Sequence, residues 1–197
     1  MQKILNLLFL TIIFSSCQAQ NTSILIGQKT ISDLSELPVY DWITEEVNGE
    51  KKWKKEYEYL ENIDISAIRY MSDGLKISGL VAKPKAPGNY PCIIYNRGGN
   101  RDFGALKVFY AVMTLGKLAS EGYVVIASDY RGGKMNEGKD EFGGKDINDV
   151  LILPEALAEI EGADTTKIGM YGWSRGGMMT YLAVSYTHLT LPTILLV

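Results

Sequence analysis

The chain has 197 residues, 46% of them hydrophobic and 22% charged, which is the size and balance of a globular domain built on one core. Its 20 Lys and Arg against 23 Asp and Glu give a net charge of −3 with the signs interspersed. This excludes the clustered basic face that a nucleic-acid partner requires.

The chain opens with Met1-Gln2-Lys3, an apolar run over residues 4–14, and the small pair Ser15-Ser16. A positive start, a short apolar centre and a small-residue end predict an export signal over residues 1–19, and the apolar run is too short to span a bilayer. Phe14-Ser15-Ser16-Cys17 resembles a bacterial lipobox, in which Cys17 becomes the lipidated first residue. The expected product is an exported lipoprotein of the periplasm or cell envelope; cleavage near Ala19, giving a secreted protein, is the alternative. The other cysteine, Cys92, sits in the strand-like run Pro91-Cys92-Ile93-Ile94-Tyr95 and is expected to be a buried apolar thiol.

Residues 20–62 are expected to form a tether followed by an N-terminal cover. Residues 21–32 are mostly polar and are read as the tether. The charged, aromatic stretch 35–62, with Trp42, Trp53, Tyr57 and Tyr59, mixes helical and strand periods, and either a cover over one end of a sheet or a substrate-contacting lid fits it. Regular order begins at Ile63. Residues 63–70 and 76–82 alternate as two strands around Ser72-Asp73-Gly74, a hairpin turn. The short apolar runs 92–95 and 124–128 predict strands covered on both faces, with a helix over 109–120 between them. A second helix over 146–160 leads to a strand over 167–171. The alternation predicts a mostly parallel α/β sheet flanked by helices, with an antiparallel hairpin at its start.

The last strand runs into Gly172-Trp173-Ser174-Arg175-Gly176, followed by the small, apolar helical run 178–183. The pattern G-x-S-x-G between a strand and a helix is that of a nucleophile elbow, whose glycines permit a turn that lifts the serine oxygen clear of the backbone. Ser174 is therefore the candidate nucleophile for acyl transfer. Such chemistry also needs donors for the oxyanion. One is expected to be the backbone N–H of Arg175 at the helix start, the other a backbone N–H of Gly98 or Gly99 in the loop Asn96-Arg97-Gly98-Gly99-Asn100.

Four segments together carry a resemblance: Tyr95-Asn96-Arg97-Gly98-Gly99, Asp129-Tyr130-Arg131-Gly132, residues 142–150 and residues 169–177. They resemble the catalytic domain of the prolyl oligopeptidase family of serine peptidases, of the α/β-hydrolase superfamily, over roughly residues 63–183. The resemblance implies an α/β-hydrolase-type fold, Ser174 as nucleophile and an oxyanion hole at Arg97 to Gly99. Where this chain has Arg97, the family often has histidine or tyrosine, which makes the Arg97 side chain a candidate donor. Asp129 to Gly132 and Asp146 to Asp149 are implied to be structural. No cofactor or metal is implied, and the partner is a peptide or ester substrate. Too few residues precede Ile63 to build the β-propeller of the large members. Short forms also resemble dienelactone hydrolases and small esterases, so a carboxylesterase is the rival enzyme, and a non-catalytic surface binding module of the same fold is the rival outside enzymology.

From Val184 onward, Val184-Ser185-Tyr186-Thr187-His188-Leu189-Thr190-Leu191-Pro192-Thr193 resembles the translation of a transposon-derived sequencing adapter. Residues 184–197 are therefore expected to be non-native, and the hydrolase domain of residues 63–183 to be a fragment, incomplete at its C-terminus. His188, the only histidine, follows Ser174 by 14 residues with no acidic residue between them and is not read as the triad base. The triad acid and histidine are expected to be missing from this chain.

Overall fold

The computed structural model describes residues 23–31 and 33–186. The export signal with Cys17, and the tail from residue 187 with His188, lie outside the described residues. In chain order the elements are β1 (Leu25–Thr30), α1 (Tyr40–Ile43), β2 (Thr44–Val47), β3 (Glu50–Trp53), a 3₁₀ run (Lys55–Asn62), β4 (Ile63–Ser72), β5 (Leu75–Pro84) and β6 (Tyr90–Asn96). Then α2 (Val108–Tyr110) passes through a π-helical stretch (Ala111–Gly116) into α3 (Lys117–Ser120), followed by β7 (Val124–Ser128), a 3₁₀ turn (Lys145–Ile147), α4 (Asn148–Leu151), α5 (Leu153–Ala158), β8 (Ala163–Gly172) and α6 (Arg175–Tyr186).

Six strands form one sheet in the order β1-β4-β5-β7-β6-β8, and β2 with β3 forms a separate hairpin. The predicted hairpin is β4–β5, closed at Ser72↔Leu75 by Asp73 (φ 51°) and Gly74 (φ 76°), two left-handed residues that match the twist of the flanking strands. The sheet is mixed: parallel pairing is confined to β7, β6 and β8, and every strand on the far side of β7 joins antiparallel. The antiparallel start thus accounts for more of the sheet than expected. Residues 21–32, expected as a tether, instead supply β1, an edge strand paired with β4. Its start is held by the Glu159 carboxylate, which accepts the Ile24 N–H at 2.6 Å.

Each face of the sheet carries its own core. Val124 and Ile126 of β7 pack with Ile94, Leu153, Leu157 and Met179 on the face covered by α4, α5 and α6, while Val125 and Ala127 pack with Tyr95, Ala111 and Leu115 on the other. Strict alternation with both faces buried is why β7 reads as an unbroken apolar run. The stretch 35–62 is a cover on the second face: Val39, Ile43 and Leu60 are buried there, and Tyr59 Oη donates to Val112 O at 2.9 Å. Cys92 is buried in the first core, where burial pushes its thiol up to about 11. α6 continues to Tyr186, past the point where the sequence pattern breaks.

Register aligns the C-terminal ends of the three parallel strands, with Asn96 beside both Ser128 and Gly172, so the loops that follow them meet at one end of the sheet. One of these loops is fixed by a buried ion pair. Arg131 donates to Asp149 at 2.7 Å, to Asp73 at 2.8 Å and to Ser72 Oγ at 3.2 Å, linking the loop after β7 to the hairpin turn and to α4. Asp149 also accepts the Arg131 N–H at 2.8 Å. Removing one partner strands the other charge inside the protein. Asp149→Ala is therefore expected to cost about 3–5 kcal/mol, read as a lowered midpoint in urea denaturation; a midpoint within error of wild type would show the pair to be dispensable.

Candidate active site

Ser174 stands between β8 and α6 with φ 56°, a left-handed conformation that costs a non-glycine residue roughly 1–2 kcal/mol. The two glycines of the motif are required by close backbone approach. A Cβ on Gly176 would lie 1.9 Å from Asn96 O, and one on Gly172 would lie 2.5 Å from Gly176 O. Only hydrogen at both positions lets α6 start directly against the end of β6, and the serine is left exposed at the tip. The Gly176 N–H goes to Trp173 O, and those of Gly177 and Met178 to Ser174 O. Arg175 supplies the first amide of the helix, the position that favours developing negative charge.

The loop after β6 lies directly against this turn. A Cβ on Gly98 would sit 3.3 Å from Trp173 O and 3.5 Å from Ser174 Cβ. Gly99 has φ 74°, and a Cβ there would meet Phe103 O at 2.1 Å. The structure thus brings together Ser174, the Arg175 amide and the Gly98-Gly99 loop. Arg97 is different. Its side chain is 1% exposed and is spent on the protein itself, donating to Gly98 O (3.1 Å), Phe103 O (3.3 Å), Arg101 O (2.9 Å) and Asp129 O (2.7 Å), with Nε 2.8 Å from Asp129 Oδ1. This corrects the expectation of Arg97 as a side-chain oxyanion donor: a guanidinium saturated by carbonyls and a carboxylate has nothing left to offer a substrate. Burial lowers its pKa from the ordinary value despite Asp129, and burial likewise raises that of Asp129.

The Arg175 side chain is buried as well. It bridges Asp140 (2.7 Å) and Asp146, and donates to Gly99 O at 3.1 Å. Burial alone would lower its pKa, but the bonds and charges of Asp140 and Asp146 outweigh that and hold it above the ordinary value. Both guanidiniums lie against the Tyr130 ring, 4.9 Å and 5.1 Å from its centroid. Asp129 and Asp146 each pair with one of these guanidiniums. Asp140 is the residue that sequence reasoning passed over: it follows a run of glycines and charges with no periodicity, and only its contact with Arg175 makes it legible. Asp140 is held below its ordinary 3.8; burial works against this, and the bonds from Arg175, Arg101 N and Phe142 N prevail.

Trp173, next to the serine in the chain, donates through Nε1 to Tyr95 Oη at 3.3 Å, and the rings of Tyr171 and Tyr95 lie with centroids 5.8 Å apart. A separate apolar cavity of about 540 Å³, between Ile31, Leu80, Leu106, Val108 and Met135, includes none of the elbow residues. Among the described residues no group of three or more His, Cys, Asp or Glu side chains could hold a metal ion. The described residues also contain no histidine.

Two outcomes follow from the strained turn. Ser174→Gly removes a left-handed side chain and is expected to raise stability by about 1 kcal/mol in a urea titration. Gly176→Ala places a methyl group on Asn96 O and is expected to lower it by several kcal/mol, at or beyond the upper end of ordinary single substitutions, which is about 4–5 kcal/mol. A Ser174→Gly variant less stable than wild type would contradict the strained turn. The Asp140 carboxylate, with its lowered folded-state pKa, contributes stability that is present above its unfolded value near 3.8 and lost as pH falls through the folded value. Acid melting of wild type should therefore steepen below about pH 4 relative to Asp140→Asn, compared by thermal melts across pH.

Residues 110–189 match the prolyl oligopeptidase family. The chain is 34% identical over 122 residues to the uncharacterized peptidase YtmA of Bacillus subtilis, covering 62% of this chain and 46% of that protein. It is 33% identical over 127 residues to human dipeptidyl peptidase 8, covering 56% of this chain and 14% of the other. The chain thus spans less than half the length of these relatives. Among solved structures, the acetyl xylan esterase from Paenibacillus sp. R4 aligns with a TM-score of 0.52 at 22% identity, over 68% of this chain and 48% of the esterase. Ferulic acid-bound Est1E from Butyrivibrio proteoclasticus aligns with a TM-score of 0.52 at 23% identity, over 61% and 47%. At that identity the likeness is one of fold, and the fold is that of the α/β-hydrolases. Over residues 110–189, the stretch that runs from the cover-facing helix to the elbow and α6, the chain is similar to the prolyl oligopeptidase family.

Proposed function

We propose that the whole protein is a serine hydrolase that cleaves peptide bonds through an acyl-enzyme on Ser174. The observation that carries this reading is the left-handed, exposed Ser174 with Gly98 packed against its Cβ. In this reading Ser174 Oγ attacks the scissile carbonyl carbon and its proton passes to a general base. The carbonyl oxygen becomes an oxyanion held by the N–H groups of Arg175 and of Gly98 or Gly99. Collapse breaks the C–N bond, the base returns the proton to the departing amine, and water then hydrolyses the acyl-serine by the same route. In this reading the base and its orienting acid are a histidine and an Asp or Glu outside the described residues, among which there is no histidine. Peptidase rather than esterase action is supported by the family matched and by the relatives named peptidases.

Export with a lipid on Cys17 belongs to the same proposal and is supported by the pattern of residues 1–17. Loss of a membrane-associated, palmitate-labelled form in Cys17→Ser would support it, and an unchanged soluble form in both would count against it.

The test of activity uses the whole protein and a fluorophosphonate probe. Labelling at Ser174 is expected in wild type and absent in Ser174→Ala; an unlabelled, folded wild type would make this a binding module. A panel of peptide and ester substrates then separates the two enzyme readings. Turnover of esters with no peptide cleavage would establish the carboxylesterase.

A further inference from the structure

We infer that Arg97 and Arg175 are positioning residues for the oxyanion hole, two buried guanidiniums that hold the carbonyls of Gly98 and Gly99 and thereby aim the amide between them. The inference rests on the reading of Ser174 as nucleophile. It begins from a property of the peptide group: in a planar trans unit the C=O and the following N–H point in opposite directions. Gly98 O accepts from Arg97 at 3.1 Å, so the Gly99 N–H of the same unit is turned away from the guanidinium. Gly99 O accepts from Arg175 at 3.1 Å, which fixes the next unit. A two-glycine loop has more backbone freedom than any other dipeptide, and here both of its carbonyls are held.

The holders are themselves immobile. Arg97 is fixed by Asp129 and by the carbonyls of Arg101 and Phe103. Arg175 is fixed by Asp140 and Asp146, and Asp140 also accepts the Arg101 N–H at 2.8 Å, so one carboxylate restrains the loop at two points. Formal charge separates orientation from field. Arg97 with Asp129 is neutral, and Arg175 with two aspartates carries a net charge of −1, so neither group adds positive potential to stabilise an oxyanion. What they supply is geometry, and oxyanion stabilisation depends on donors already in place before charge develops.

The substitution chosen is Asp140→Asn, which keeps the shape and removes the charge that holds Arg175, with Arg175→Lys as the second variant because lysine cannot bond two aspartates and a carbonyl in a planar fork. Active sites in the whole protein are counted by fluorophosphonate titration, and turnover of a p-nitrophenyl ester is expressed per titrated site. The expected result is a kcat lowered about 10- to 100-fold with KM changed by less than about twofold, the pattern of an interaction realised only in the transition state. A merely structural role would lower the number of titrated sites and leave kcat per site at the wild-type value, and that result overturns the inference. Amide hydrogen exchange of the same proteins gives a readout free of catalysis: exchange over residues 97–104 is expected to quicken about tenfold while β6, β7 and β8 keep their protection. Unchanged loop exchange in both variants overturns the inference even if wild type proves inactive, whereas a wild type that fails to label with a loop that does loosen refutes only the hydrolase reading.

Discussion

Everything at the functional end of the sheet depends on one backbone contact, the approach of Gly176 to the carbonyl of Asn96. Because a Cβ there would stand 1.9 Å from that oxygen, α6 can begin only where two glycines allow it. The contact sets the direction of the helix, the left-handed turn at Ser174 and the distance from that turn to the loop after β6. The parallel register of β6 with both β7 and β8 brings the three loops to one level, so a contact between two of them constrains the third.

The loops are then held by charge rather than by apolar packing. Arg97, Arg131 and Arg175 each lie at 5% side-chain exposure or below, and each reaches an aspartate from another part of the chain. Buried ion pairs of this kind add little net stability, because desolvation offsets their attraction. Their value is that a broken pair is costly, which makes one arrangement of the loops far better than its neighbours. Tyr130, itself left-handed and fully buried, packs against two of the guanidiniums and links the loop after β7 to both.

Much of this was legible in the sequence where a local pattern carries its own reason. The β4–β5 hairpin announced itself through Asp73-Gly74, β7 through its unbroken apolar run, and the elbow through the spacing of Gly172, Ser174 and Gly176. β1 was not legible because Gly27, Gln28, Lys29 and Thr30 carry no alternation; the strand exists because β4 offers it a ladder. The β2–β3 hairpin had a usable signal in Asn48-Gly49, whose residues adopt φ 55° and 82°, but the aromatic and charged side chains around it obscured the period. Arg97 was read by its position in the motif, as a residue facing the substrate. Its true direction depends on Asp129 and on carbonyls from residues 98–103, contacts that no spacing rule encodes.

The cluster of glycines around the elbow also governs how this end of the molecule can change. At Gly98, Gly99, Gly104, Gly172 and Gly176 an added methyl group would press on a neighbouring backbone, so these positions are closed to drift. Phe103 and Trp173, in the same loops, are mostly exposed, although Trp173 keeps one bond inward, from Nε1 to Tyr95 Oη. Variation is thereby channelled into exposed side chains, and a library directed at Phe103 would explore new surfaces while inheriting an unaltered backbone.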